Sequence, residues 1–239
     1  MREMSSPSEI SAASGYALVQ SRIVEAARNS GRDPERIRLI GVCKAQTLER
    51  VHVAMDAGLL HLGANYLQEW ESQRVALEAR NPQWHFVGRI QRKKLVKIVG
   101  RVALIHSVDR WEVLEEIQKR AAQGACIQDV LIQVNIAAEE SKAGLMPSAL
   151  SDLLREAEAM SALRIRGLMF MPPAVDDPEE ARPWFRKGAA LLEELQEELG
   201  PAAQWLTELS MGMSGDYVQA VEEGATLIRV GTAIFGSRS

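Results

Sequence analysis

The side chain with the clearest chemical potential is a lysine at the end of an apolar run. The segment "LIGVCKAQT" (residues 39–47) is typical of a buried strand that ends in Cys43 and is followed directly by Lys44. A lysine that enters a half-buried pocket loses hydration, which favours its neutral amine. A neutral amine can condense with an aldehyde to form a Schiff base. The alternative is a lysine that pairs with a carboxylate at the rim of the fold.

Two turns rich in glycine and serine have the composition of a phosphate site. "LSMGMSGDYVQAVEEG" places Ser210 and Ser214 just before a helical pattern, and "RVGTAIFG" places Gly231 and Thr232 after an apolar run. Small residues expose backbone N–H groups, and such groups near helix N-termini bind phosphate oxygens. The alternative is a pair of ordinary glycine turns. A Schiff-base lysine near a phosphate site suits pyridoxal 5′-phosphate or a phosphosugar aldolase.

Further polar residues end other apolar runs in the same way. They are Asn65, His85, Ser107, Asn135 and Arg229. Each has a simple structural explanation on its own: His85 could be a hydrogen-bonded core histidine, and Ser107 or Asn135 could cap a helix. Polar groups that converge from several strand ends instead indicate a site for a polar, anionic small molecule.

The elements that must position these residues alternate along the chain. Eight β-rich runs are separated by segments with apolar residues at helical spacing. The runs are residues 39–43, 59–64, 84–88, 103–108, 130–136, 165–171, 205–211 and 225–231. Strands separated by helices pair in parallel, and eight such units close a barrel. We predict an α/β fold, a single-domain (β/α)8 TIM barrel over residues 1–239, with an extra N-terminal helix over residues 8–29. The competing doubly wound sheet lacks its glycine-rich turn here.

Composition limits the class of protein. The chain has 239 residues, 46% hydrophobic content and a net charge of −4, which allows one large core and gives no electrostatic footprint for nucleic acid or membranes. The start of the sequence has no signal-peptide core, and no apolar run reaches the roughly 18 residues of a membrane span. Cys43 and Cys126 cannot form a disulfide framework, and the histidines show no zinc-ligand spacing. We expect a cytoplasmic monomer without a metal.

Together these segments resemble a known family, the YggS/PROSC pyridoxal phosphate homeostasis proteins, whose fold is similar to the barrel domain of alanine racemase. The resemblance rests on "GVCKAQT", "LGANYLQE", "WHFVGRIQ", "LIHSVD", "QVNIAAEESKAG", "GLMFMPP", "LSMGMSGD" and "IRVGTAIFG", in this order. It implies pyridoxal 5′-phosphate as the cofactor and Lys44 as the lysine that binds it. It also implies phosphate contacts from Ser214, Gly231 and Thr232, with Ser210 supporting their loop.

The resemblance extends to the surroundings of the cofactor ring. Arg229 matches the arginine that faces the pyridine nitrogen, and Asn65, His85 and Ser107 match positions that line the ring. The chain departs from the family pattern at Ala64, where Glu is usual.

Two further departures follow the first and third strands. Ala45 stands where Thr is common, and "RIQRKK", with Arg89 and Lys93, stands where His-Leu-Gln-Ser-Asn-Lys is frequent. These changes leave the lysine and the phosphate turns intact and alter contacts at the rim.

We expect the protein to buffer or deliver its cofactor, with apo enzymes as partners, and to lack strong catalysis. If Arg229 faces the ring nitrogen, that nitrogen stays unprotonated, because a guanidinium does not give up its proton, and the ring is a weak electron sink. Alanine racemase adds a second acid–base tyrosine from an extra domain, which we do not expect in a chain that ends at Ser239. Tyr66, beside Asn65, is the one candidate to replace it, because Tyr16 lies in the first helix and Tyr217 in the last βα unit.

Two alternatives stay open. One is an enzyme, either a single-domain amino-acid racemase that uses pyridoxal phosphate or a Schiff-base aldolase. The other is an RNA- or protein-binding module that uses a basic helix over residues 89–101, "RIQRKKLVKIVGR". The apolar residues of that segment recur at helical spacing, so its cations are also those expected on the solvated face of an ordinary helix.

Overall fold

Eight parallel strands form a closed barrel in the computed structural model, which describes residues 11–139 and 141–237. The strands are β1 Arg38–Val42, β2 His61–Ala64, β3 Gln83–Phe86, β4 Leu104–Val108, β5 Gln128–Gln133, β6 Leu163–Met169, β7 Glu208–Ser210 and β8 Leu227–Val230. They pair in sequence order, and β8 pairs with β1 to complete the ring. Each strand falls within or next to a predicted run, and the predicted TIM barrel is confirmed.

Helices connect the strands and form the outer layer. They are α1 Ala12–Asn29, α2 Leu48–Asp56, α3 Leu67–Ala76, α4 Trp111–Gln123, α5 Leu150–Ala157, α6 Arg182–Leu199, α7 Tyr217–Glu222 and α8 Thr232–Phe235. Short 3-10 helices span Pro34–Arg36, Glu78–Arg80, Arg92–Lys97, Pro147–Ala149, Pro178–Ala181 and Gly200–Ala203. No helix in the described part of the chain has the length and apolar character needed to cross a membrane.

The extra helix α1 packs against the final units of the barrel. It was predicted over residues 8–29; its described part begins at Ala12, and residues 8–10 lie outside the described residues. Gly15 allows α1 to approach α8 closely, because a Cβ at this position would overlap the carbonyl oxygen of Ile234. The first helix therefore contacts the last one directly.

The barrel interior combines apolar and polar side chains. A large apolar cluster fills the space between the strands and the helices. A second, small apolar cluster lies inside the ring and consists of Ile40, Leu104, Leu131, Met169 and Leu227. Four buried polar side chains share the interior with it: His85, His106, Ser210 and Arg229. A row of polar groups inside a barrel needs hydrogen-bond partners there, since water cannot supply them.

The segment after β3 differs from its prediction. Instead of a basic helix over residues 89–101, the chain forms only the short 3-10 helix Arg92–Lys97. Leu95 is buried, whereas Val96 is 53% exposed, so the apolar face is narrower than the predicted one. Gly100 has a φ of 75°, in the left-handed region, and this backbone conformation ends the helical segment early.

Candidate functional site

A cavity of 360 Å³ opens at the carboxyl-terminal end of the barrel. Its volume lies within the usual range for sites that bind small molecules. The wall is formed by Val42, Lys44, Gln46, Asn65, Val87, Met171, Met213, Ser214, Gly215, Arg229, Gly231 and Thr232. Six residues predicted from the sequence therefore meet in one place: Lys44, Asn65, Ser214, Arg229, Gly231 and Thr232.

Lys44 brings an amine to this cavity. It follows β1 and is half-buried. Its Nζ atom lies 4.8 Å from the centre of the Tyr66 ring, which is a cation–π contact. Across the described residues, Lys44 has no hydrogen bond or ion pair. The structure thus does not pair this lysine with a carboxylate at the rim, and its amine is available to a ligand.

Helix α3 holds the backbone on both sides of Lys44. Gln73 Nε2 donates to the carbonyl oxygen of Cys43 at 3.2 Å, and the Glu69 carboxylate accepts the N–H of Ala45. Ala45 has a φ of 54°, a conformation that residues other than glycine rarely adopt. The two contacts stabilise this turn and fix the direction in which Lys44 leaves the strand. The i, i+4 spacing of Glu69 and Gln73 is the sequence signal for the pair, since it places both on one helix face.

Arg229 on β8 brings a buried positive charge to the cavity wall. It is 6% exposed, and it donates from Nη1 to Ser210 Oγ at 2.6 Å and from Nη2 to the carbonyl oxygen of Phe170 at 3.2 Å. None of the described carboxylates forms an ion pair with it. Burial lowers the pKa of Arg229 to about 10, with Asp216 acting in the opposite direction. The guanidinium therefore stays charged at neutral pH, and no carboxylate in the described ranges pairs with it.

Ser214 and two backbone N–H groups form a donor cluster at the same cavity. The N–H groups of Gly231 and Ala233 both donate to Ser214 Oγ at 3.3 Å. Asp216 orders the loop, since its carboxylate accepts the N–H of Met213 at 2.6 Å, and burial raises the pKa of this carboxyl. Because the hydroxyl oxygen accepts both N–H groups, the hydroxyl keeps its own proton to donate, and a phosphate oxygen is a suitable acceptor for it.

His85 and Ser107, two residues expected to line a ligand ring, lie deeper in the barrel than the residues that form the cavity wall. His85 is 2% exposed and lies among other buried polar side chains. The hydroxyl of Ser107 donates to the carbonyl oxygen of Gly88 at 2.5 Å. The reason is the strand register: β3 continues past His85 to Phe86, and the next residue, Val87, lines the cavity.

Ser210 and Asn135 also lie away from the cavity wall. Ser210 is fully buried and accepts a hydrogen bond from Arg229, so it supports this arginine. The Asn135 amide donates to the carbonyl oxygens of Glu139 and Lys142, at 2.8 and 3.3 Å, and closes the loop after β5. Other wall residues carry no polar strand-end signal in the sequence: Gln46, Val87, Met171 and Met213.

Comparison with known proteins agrees with this geometry. Residues 22–239 match the family model of the alanine racemase N-terminal domain. The chain is 41% identical to the pyridoxal phosphate homeostasis protein of Aquifex aeolicus, over 92% of this chain and 95% of that protein. An unknown protein from Bifidobacterium adolescentis has a similar structure, with a TM-score of 0.86, 30% identity and 94% of both chains covered.

A second solved structure carries a ligand. PipY from Synechococcus elongatus, solved with pyridoxal phosphate bound, has a TM-score of 0.78 and 34% identity, over 90% of this chain and 100% of that chain. The barrel and its carboxyl-terminal cavity define a protein of the alanine racemase N-terminal domain class. Within this class, the chain belongs to the family of pyridoxal phosphate homeostasis proteins.

Proposed function

We propose that the cavity binds pyridoxal 5′-phosphate and that Lys44 holds it as a Schiff base. One observation carries the proposal: a single cavity joins the Lys44 amine and the buried Arg229, neither of which pairs with a carboxylate among the described residues, to the donor cluster around Ser214. The amine can form a Schiff base with an aldehyde, the guanidinium can donate to a hydrogen-bond acceptor, and the donors around Ser214 can bind a phosphate. A relative that is 34% identical, PipY, is solved with this cofactor bound.

The residues present fit the cofactor group by group. The hydroxyls of Ser214 and Thr232 and the N–H of Gly231 would bind the phosphate, and Arg229 would donate to the ring nitrogen. Asn65 stands on the wall between these two ends and offers an amide to polar groups of the ring. When bound, the cofactor supplies an aldehyde that reacts with amines and a ring that withdraws electrons.

The cavity wall favours holding the cofactor over strong catalysis. Of the described residues that form it, only Lys44 and Arg229 are titratable. Arg229 stays charged and can only donate, so it would leave the ring nitrogen unprotonated and the ring a weak electron sink. Tyr66 lies against Lys44, Tyr16 donates to a backbone carbonyl and Tyr217 is buried in α7, and none of them lines the cavity.

In the cell, we propose a role in buffering the cofactor and passing it to apo enzymes. An aldehyde held by one amine can exchange onto another amine, so storage on Lys44 is reversible. We further propose that residues 1–239 act as one barrel domain, as a monomer in the cytoplasm. The name shared by the curated relatives supports the homeostatic role.

The segment of residues 89–101 does not favour the alternative of an RNA-binding module. Arg92 pairs with Glu116 at 3.4 Å, and Lys97 pairs with Glu71 at 3.0 Å. The protein itself thus neutralises part of the positive charge that an RNA backbone would need.

Covalent labelling tests the proposal. The purified protein receives one equivalent of pyridoxal 5′-phosphate, and its absorbance is recorded before and after reduction with borohydride. Peptide mass mapping should place the reduced adduct on Lys44, and Lys44→Ala should lose it. Lys142→Ala is the matched control: Lys142 follows β5, pairs with Glu139 at 2.7 Å, and should be dispensable for the adduct. A primary label on Lys142, or no adduct at all, contradicts the assignment.

A further inference from the structure

A continuous chain of hydrogen bonds runs through the barrel interior from the cavity. Arg229 Nη1 lies 2.6 Å from Ser210 Oγ, and Ser210 Oγ lies 2.9 Å from His106 Nδ1. His106 Nε2 lies 3.0 Å from His85 Nδ1, and His85 Nε2 lies 3.0 Å from His61 Nδ1. These five residues come from β8, β7, β4, β3 and β2 in turn. The chain therefore crosses the barrel instead of following one strand.

The series of hydrogen bonds ends at His61, at the opposite mouth of the barrel. His61 is the first residue of β2 and lines a second cavity, of 160 Å³. The first residues of β1, β3, β4 and β7 line the same cavity, which places it at the amino-terminal end. In the described part of the protein, no group of three or more His, Cys, Asp or Glu side chains is arranged to hold a metal. The three histidines are hydrogen-bonded to one another in sequence.

Only one arrangement of protons gives a hydrogen-bond partner to every buried side chain of this hydrogen-bonded series. A guanidinium only donates, so Ser210 Oγ accepts from Arg229. Ser210 is fully buried, and its own proton needs an acceptor, for which His106 Nδ1 is the remaining neighbour in the described structure. His106 then carries its proton on Nε2 and donates to His85, and His85 donates from Nε2 to His61 in the same way. All three imidazoles are therefore neutral Nε2–H tautomers, and each donates its hydrogen bond away from Arg229.

The surroundings of the chain keep these imidazoles neutral. Burial lowers the pKa of His85 to about 3 and lowers the pKa of His106 well below its usual value, and neighbouring histidines and arginines act in the same direction. The pKa of His61 is also lowered, first by burial and then by Arg38. The charged groups at this end of the barrel form ion pairs with one another. Arg38 pairs with Glu208, and Arg166 pairs with both Asp129 and Glu208.

We propose that Ser210, His106, His85 and His61 form a histidine relay that positions Arg229 and stabilises its charge with aligned dipoles. Each neutral imidazole turns its acceptor nitrogen toward the arginine and its N–H away from it. The negative ends of the dipoles therefore face the guanidinium, as peptide dipoles face a cation at a helix C-terminus. A carboxylate in place of Ser210 would neutralise Arg229 and compete with a ligand for its N–H groups.

The relay explains how a buried arginine can stay charged and still be free to bind. It deepens the proposed function, because it rests on that function for the identity of the ligand that Arg229 meets. The proton arrangement itself does not depend on any ligand. Its members are positioning residues, since none of them touches the cavity wall except through Arg229.

The tautomers can be read directly by NMR. Protein with ¹⁵N-labelled histidine, with no cofactor added, is studied in long-range ¹H–¹⁵N spectra that distinguish protonated from unprotonated ring nitrogens. At neutral pH, His61, His85 and His106 should each show Nε2–H and a bare Nδ1. His52 on α2 lies outside the relay and is the internal control, with both tautomers in exchange. A proton on Nδ1 of His85 or His106, or mixed tautomers there, overturns the proposal.

Three variants test whether the tautomer order of the histidines is set from the Arg229 end. Ser210→Ala breaks the link to the arginine and should leave His106 in mixed tautomers, whereas Ser210→Thr keeps the hydroxyl and should restore the Nε2–H form. His61→Phe removes only the far end and should leave His106 ordered. The reverse pattern, with His61→Phe disordering His106 and Ser210→Ala without effect, refutes the relay.

A separate titration connects the relay to the ligand. Ser210→Ala should bind pyridoxal 5′-phosphate about tenfold more weakly, from the loss of about one hydrogen bond to a charged group, and Ser210→Thr should bind normally. Ordered tautomers in a protein that fails to bind this cofactor would refute the proposed ligand and leave the relay intact. Normal binding by Ser210→Ala would refute the positioning role.

Discussion

Replacing Ser214 with alanine tests the phosphate end of the cavity. Its Oγ atom lies 3.3 Å from the backbone nitrogens of both Gly231 and Ala233, so the three groups converge on one point. In the loaded protein we expect the hydroxyl to donate to a phosphate oxygen. A hydrogen bond to a charged group contributes roughly 1.5–3 kcal/mol. At about 1.4 kcal/mol per decade, the dissociation constant of Ser214→Ala should rise about 10- to 100-fold.

The variant should keep its fold, because Ser214 is half-buried and the loop is held by Asp216 through the N–H of Met213. Cofactor binding is measured by absorbance titration after dialysis, and thermal unfolding is measured on the same sample. Ser72→Ala is the matched control, since Ser72 is exposed on α3 and donates only to the carbonyl oxygen of Gln68. An unchanged affinity in Ser214→Ala, or an equal loss in Ser72→Ala, would refute a phosphate contact at this loop.

Three further measurements follow from buried groups. With L-alanine in D₂O, the loaded protein should exchange the α-proton well below about 1 s⁻¹, because Arg229 in its proposed role would leave the ring nitrogen unprotonated. Exchange at enzymatic rates, followed by NMR, would favour the racemase alternative. His85 has a folded-state pKa of about 3, below the unfolded value of about 6.5. The unfolded chain therefore binds more protons in this window, so the free energy of unfolding, measured in urea, should fall as pH drops from about 6.5 toward 3; a flat profile would contradict neutral burial. Burial raises the pKa of Cys43 to about 12, so iodoacetamide at mildly alkaline pH should modify this thiol only after unfolding. The less buried Cys126 serves for comparison. Rapid labelling of Cys43 in the native protein would be inconsistent with this pKa.

The parts of the site that the sequence predicts are those encoded locally. Lys44 directly follows an apolar run, and Gly231 and Thr232 directly follow another, so the strand ends alone place them at the mouth of the barrel. Small residues at Ser214 and its neighbours mark a turn with exposed N–H groups. In each case a few adjacent residues determine both the element and the position of the side chain.

Sequence patterns do not reveal how deep within the barrel a side chain near a strand end lies. His85 and Ser107 also stand near strand ends, but one or two residues decide whether a side chain reaches the mouth or the interior. That depth is set by the stagger between neighbouring strands, which no single strand reveals. The contacts of Glu69 and Gln73 around Lys44 are likewise tertiary, since they depend on where α3 packs.

The pairing of β8 with β1 has a consequence for synthesis of the protein. Lys44 follows the first strand, whereas Arg229 lies on the last strand, and Gly231 and Thr232 lie at the start of the final helix α8. Ile40 of β1 pairs with Arg229 of β8 at the seam between the two strands. A growing chain on the ribosome thus carries the reactive amine long before the arginine and the phosphate donors exist. Since domains fold as units, the seam can close only after the last strand emerges. In the proposed function, firm retention of the cofactor therefore needs the last strand. In a chain that still lacks this strand, Lys44 would react with the aldehyde only as any other lysine does.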